Sequence, residues 1–237
     1  MTNLQTLRLY LRLSRPILVL SVAFLYALGT GMARYLGETI NWQVMVLGLL
    51  WVILLQLSTN YLADYFTIPT PSRTMDYPPL AESSGALGPE KLPRQAALWA
   101  GLACLAVVAS LSVPLIGAIG GDPPVIFTMF LLLSGCLLYA TPPVRLVASG
   151  YGELTVAILA MNLTPLLAFL LQYGSMHRMI PMTTFPLTLL MLAMFVAFNL
   201  QRYAVDLKQQ RHNLVTRLGW ERAMLLHNSS ILLGFLL

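Results

Sequence analysis

Charge is what this sequence has least of. Its 237 residues include 14 Lys and Arg and 9 Asp and Glu, so 10% are charged and 57% are hydrophobic. A soluble domain carries about a quarter charged residues, and a mean hydropathy of +0.74 excludes one. Cysteine is nearly absent: Cys104 and Cys136 both fall inside apolar runs. That excludes a disulfide framework and leaves two small buried hydrophobes. The three histidines, His177, His212 and His227, are too dispersed for metal-ligand spacing. The net charge of +5 is spread between apolar runs and forms no basic face, so no nucleic-acid partner is expected.

The few charges leave six long gaps, at residues 16–33, 39–63, 95–121, 123–143, 154–176 and 179–201. Most reach the ~20 residues that a helix needs to cross ~30 Å of hydrocarbon. The pattern predicts an all-α fold, a polytopic transmembrane helix bundle of six full spans in a single domain over residues 1–237. A partial seventh run, residues 223–237, has 15 residues, short of a full span. It carries His227 and Asn228, and is expected to be a half-inserted helix, a helix completed by a partner, or the stub of a longer ancestor.

The basic residues give an orientation. Arg8, Arg12 and Arg15, then Arg73, Lys91 and Arg94, then Arg145, and finally Arg202, Lys208, Arg211, Arg217 and Arg222 all fall on one side of the alternating spans. Only Arg34 and Arg178 fall on the other. The positive-inside rule makes the basic side cytoplasmic. The expected location is the cell (inner) membrane, with the N-terminus and the long loops in the cytoplasm. Two long loops, about 64–94 and 202–222, share that side and are expected to cap a cavity. The first contains Pro69, Pro71, Pro78, Pro79, Pro89 and Pro93, too many for a continuous helix.

Each long loop opens on a polar stripe. In QLSTNYLADYF, Gln56, Asn60 and Asp64 recur at i, i+4, i+8 on one face of the second span. Asn199, Arg202 and Asp206, at i, i+3, i+7, share a face of the sixth. Taken singly, each has an ordinary explanation: Asp64 as a solvated helix end, Arg202–Asp206 as an i, i+4 ion pair worth a few tenths of a kcal/mol. Taken together, ionisable groups at matching depth usually face a bundle interior or a wet cavity, since facing lipid costs ~2.5–3.5 kcal/mol near the centre.

RLSRPILVLSVAFLYALGTGMA (residues 12–33), QLSTNYLADYF (56–66), YATPPVRL (139–146), GYGELTVAI (150–158) and LVTRLG (214–219), in this order, resemble the UbiA family of intramembrane prenyltransferases. They are most similar to its menaquinone branch, which prenylates 1,4-dihydroxy-2-naphthoate. The resemblance implies two Asp-rich segments, NxxxDxxxD and DxxxD, at the cytoplasmic ends of helices two and six. These hold Mg²⁺ and the diphosphate of a polyprenyl donor, with the prenyl tail in an apolar channel. Mg²⁺ takes oxygen ligands and neutralises the diphosphate as it leaves.

The sequence departs from that pattern. Asn60 and Asp64 keep the first two positions of the first motif, but Ile68 takes the third. Asp206 keeps the last position of the second motif, while Arg202 stands where the leading Asp belongs. An Arg about 6 Å from Mg²⁺ is repelled by about 5 kcal/mol at an effective dielectric of 20. The family has nine helices, so this chain is also short at its C-terminus.

Two functions follow as expectations. In the first, catalysis is lost and the chain holds an isoprenoid-tailed lipid (quinone, prenyl diphosphate or pigment), as a possible subunit of a larger membrane complex. Gln56, Asn60, Arg73, Asn199, Arg202, Lys208 and Arg211 then bind the head group, and no cofactor is needed. In the second, the chain is an active Mg²⁺-dependent aromatic prenyltransferase. Asp64 and Asp206 then carry the metal and the chemistry, with Asp76 as a possible substitute ligand. Glu153 matches a family position and either caps its helix or faces the site.

Overall fold

The computed structural model describes residues 3–67, 84–88 and 91–237. Ile68, Arg73 and Asp76 therefore lie outside the described residues. Among the described residues every named element is helical: α1 (Asn3–Ser14), α2 (Pro16–Tyr35), α3 (Trp42–Phe66), α4 (Arg94–Ala118), α5 (Pro123–Ala140), a 3₁₀ turn (Leu146–Ala148), α6 (Gly152–Ile158), a π-turn (Leu159–Leu163), α7 (Thr164–Tyr173), α8 (Met179–Lys208), α9 (Leu214–Leu218) and α10 (Trp220–Leu236). Six helical stretches have the length and composition to cross a membrane: α2 to α5, the run Gly152–Tyr173, and α8. The chain is an integral membrane protein, and the six uncharged gaps mark its spans.

Three features exceed what the gaps convey. First, residues ahead of the first span read only as a basic flank, yet they form α1. Leu13 is fully buried with Ala86, Leu92 and Ala97, and Leu9 packs beside it. Leu7, Tyr10 and Leu11 remain exposed on another side, as befits a helix lying in a headgroup layer. Second, α3 continues to Phe66 and α8 to Lys208. The loops are thus shorter than their polarity suggests, and Asp64 and Asp206 sit on regular helix. Third, the fifth span is interrupted. Pro165 has no N–H to give a preceding carbonyl; the backbone widens into the π-turn, and Thr164 Oγ1 donates to Leu159 O at 2.9 Å.

The main core joins α2, α3, α5 and α7 around Tyr26, Trp51, Leu167 and Phe169. Trp51 Nε1 donates to Ser112 Oγ of α4 at 2.9 Å, so its one polar atom is satisfied in hydrocarbon. A second core, with Leu192, Val196, Leu214, Val215 and Ala223, joins α8, α9 and α10. The α2–α7 contact depends on Gly29, whose missing side chain leaves room for the Pro165 carbonyl and Ala168. A Gly29→Leu protein is expected to lose about 1–3 kcal/mol through overpacking, read as a lower Tm in mild detergent. An unchanged Tm would show that α2 and α7 do not meet at Gly29.

Candidate functional site

The end of α3 carries its polar stripe into a closed set of bonds. Gln56 Nε2 donates to Asn60 Oδ1 at 2.9 Å, and Asn60 Nδ2 donates to the Ser14 carbonyl at 3.0 Å. Tyr61 OH lies 2.8 Å from Ser14 Oγ. One turn on, Asp64 is 2% exposed. Its Oδ1 pairs with Arg15 Nη2 at 2.7 Å. The Ser84 N–H donates to both carboxylate oxygens, at 3.0 and 3.1 Å, and Ser84 Oγ also donates to Oδ2. A backbone corner brings Arg15 here: it stands between α1 and α2 with φ 50, and Pro16 opens α2 where a missing N–H costs nothing. The α3 terminus is tied down further, since Arg94 donates twice to Tyr65 O and Arg145 Nη2 donates to Thr67 Oγ1 at 3.2 Å.

The end of α8 forms a second set. Asp206 is 1% exposed; its Oδ2 accepts from Asn213 Nδ2 at 2.8 Å, and its Oδ1 pairs with Arg211 Nη1 at 3.5 Å. Asp206 thus has an ion-pair partner in Arg211, five residues on. Asn213 also caps α9, accepting from Thr216 N at 2.8 Å while its own N–H reaches Thr216 Oγ1 at 2.9 Å. Glu153, in the first turn of α6, accepts from Asn199 Nδ2 at 2.6 Å and from the Leu214 N–H at 3.3 and 3.4 Å. It thus faces α8 and holds the start of α9. Arg217 closes the layer, donating to Ser149 O at 2.9 Å and lying 4.2 Å over the Tyr151 ring.

Of the residues picked out by spacing, Gln56, Asn60 and Asp64 are gathered at one helix end, and Asn199, Asp206 and Arg211 at the other. Arg202 is half-buried on α8, and Lys208 is exposed at its last turn. The expected set omits Arg15, Ser84, Asn213 and, as a binding residue, Glu153. Asn213 and Glu153 carried local signals: an Asn three residues before a Thr, at the head of a short apolar run, is a helix-start pattern, and Glu153 stands near a helix start. Arg15 and Ser84 meet Asp64 through the fold and carry none.

No protein-family model matches the sequence, and no curated protein matches it. Solved structures do. A UbiA homolog from Archaeoglobus fulgidus bound to GPP and Mg²⁺ matches with a TM-score of 0.67 and 21% identity, covering 95% of this chain and 75% of that one. The same homolog bound to DMAPP and Mg²⁺ gives 0.66 and 21%, over 95% and 74%. The chain has the UbiA fold. On that fold the two polar clusters lie at the ends of its second and sixth spans.

A divalent ion takes carboxylate oxygens as ligands. Both oxygens of Asp64 accept from Arg15 and Ser84, and both of Asp206 are engaged by Arg211 and Asn213. Among the described residues no group of three or more His, Cys, Asp or Glu could hold a metal ion. Among the described residues, Asp64 and Asp206 are thus each engaged within the chain.

Proposed function

We propose that this protein belongs to the UbiA family and holds an isoprenoid-tailed lipid without transferring it, its surviving carboxylates serving as structural counter-ions. The carrying observation is that both buried aspartates are already paired with arginines of the same chain. The Archaeoglobus fulgidus homolog binds GPP and DMAPP, which supports a prenyl tail as the ligand class here. Arg fits the head-group role because its fork of fixed donors binds an anionic or carbonyl oxygen with no metal between them. Gln56, Asn60, Asn199, Arg202, Lys208 and Arg211, with Arg73, are the proposed head-group residues, and the two long loops cap the lipid. The excess of Lys and Arg on one side supports an inner-membrane protein with its N-terminus in the cytoplasm. Membership of a larger membrane complex is part of the same proposal.

Gentle purification followed by lipid extraction and mass spectrometry is expected to recover a quinone, prenyl diphosphate or pigment at near one per chain. A lipid-free protein would refute the reading. Incubation with a polyprenyl diphosphate, Mg²⁺ and 1,4-dihydroxy-2-naphthoate is expected to yield no prenylated product. A second reading, an active prenyltransferase of the menaquinone branch, is favoured by the burial of Asn60, Asp64 and Asp206 and by the Mg²⁺ in the homolog. A product that disappears with Asp64→Ala would establish it.

A further inference from the structure

The first helix, α1, sorts its side chains onto three faces, independently of what the polar clusters bind. At about 100° per residue, Leu9 and Leu13 share one face, Leu7, Tyr10 and Leu11 a second, and Arg8 and Arg12 a third. The three are spaced roughly a third of a turn apart. The first packs on Ala86, Leu92, Ala97, Tyr61 and Tyr65. The other two are exposed. No acidic residue lies in α1, and among the described residues Arg8 has no hydrogen-bond or ion-pair partner.

The packing partners set the depth of α1. Tyr61 and Tyr65 stand in the last turns of α3, and Ala97 in the first turn of α4. Two residues on, the Trp99 ring is exposed, and Trp favours the boundary between membrane and water. With 12 residues, α1 is about 18 Å long and too short to cross the hydrocarbon. Its end is pinned, since the Ser14 carbonyl accepts from Asn60 and Arg15 pairs with Asp64. The helix is thus held at the membrane edge and cannot roll. Its apolar face meets the acyl boundary, and its two arginines meet the headgroups.

We propose that α1 is a binding surface for anionic phospholipids, with Leu7, Tyr10 and Leu11 sunk into the acyl boundary and Arg8 and Arg12 on the headgroup phosphates. Two observations select lipid over a protein partner. The separation of apolar and basic side chains onto different faces matches the layering of a leaflet. The charge selects the kind of lipid: α1 is purely basic and lies on the side of the bundle that carries the excess of Lys and Arg. An anionic surface attracts each such residue by about fivefold in affinity, whereas a zwitterionic headgroup offsets its phosphate with its own cation.

The test is hydrogen exchange of the full chain in lipid nanodiscs, with the amides of α10 as the internal reference. In phosphatidylcholine and phosphatidylglycerol in equal parts, α1 is expected to exchange about 5- to 25-fold more slowly than in phosphatidylcholine alone, at about fivefold per arginine. Arg8→Gln, which is exposed and so spares the fold, is expected to give up about fivefold of that slowing. Arg222→Gln, exposed on α10, is expected to give up none. Leu11→Ser should speed α1 exchange in both lipids. Inorganic phosphate added to the phosphatidylcholine discs should not slow it. Equal exchange in the two lipids overturns the proposal, as does an Arg8→Gln protein that responds like wild type. Slowing by phosphate alone overturns it too, since the site would then be one for a free anion. So does Leu11→Ser exchange equal to wild type, the result if protein rather than lipid covers the apolar face.

Discussion

Replacing Arg15 by Met is expected to destabilise the protein by about 3–5 kcal/mol, the range for removing one partner of a buried ion pair. Arg15 and Asp64 have side chains 10% and 0% exposed, so solvent screens the pair little. The same substitution leaves Asp64 a buried charge held, among the described residues, by Ser84. Adding Asp64→Leu removes that charge, and the double variant is expected to recover most of the loss, because a well-packed apolar pair often equals or exceeds an ion pair in stability. Unfolding in mixed micelles, run as a double-mutant cycle, measures the coupling. If Arg15→Met costs under about 1 kcal/mol, the pair is an incidental contact and Asp64 is free for another role. The distinction matters because a carboxylate kept for metal binding would leave the metal-free protein more stable when removed. A counter-ion behaves in the opposite way.

The second large effect is a gain. The wild-type chain is expected to show no Mg²⁺-dependent rise in Tm, since its two aspartates are engaged and Arg202 stands near Asp206 on the same helix. The double variant Ile68→Asp/Arg202→Asp restores both acidic motifs. At 6 Å and an effective dielectric of 20, exchanging a cation for an anion changes the interaction with Mg²⁺ by about 10 kcal/mol before desolvation and competing arginines reduce it. A site bound at ten times its Kd adds about 1.4 kcal/mol of stability, or roughly 3–6 °C in a protein of this size. Calorimetry with and without Mg²⁺ reads this, with Ca²⁺ as the control for simple charge screening. A wild-type chain that is itself stabilised by Mg²⁺ would reverse the proposed role of Asp64 and Asp206.

The spans were legible because hydrocarbon tolerates so few charges that every gap between them has to be membrane. Asn60, Asp64, Asn199 and Asp206 were legible for a related reason: a polar residue repeated at helical spacing near a span end has a face, and the face can be read without coordinates. What spacing cannot supply is the partner. Arg15 reaches Asp64 from 49 positions away through a corner with positive φ, and nothing in the residues around either side chain announces it. Ser84 arrives from the far side of a proline-rich segment. Glu153 illustrates the intermediate case, since its position near a helix start suggested a cap, and only the approach of α8 and α9 shows that it caps another element. The π-turn was invisible because Pro165 predicts a disturbed helix without predicting which disturbance the neighbours will accept.

That turn has a consequence for how the chain tolerates length changes. A π-turn is an α-helix carrying one surplus residue, absorbed locally so that the stretches before and after it keep their facing. Removing one residue from Leu159–Leu163 would therefore relax the segment to ordinary winding and leave Phe169 and Glu153 aimed as they are. The same deletion a few positions later, within α7, would swing everything beyond it by about 100° and turn its packed side towards the lipid.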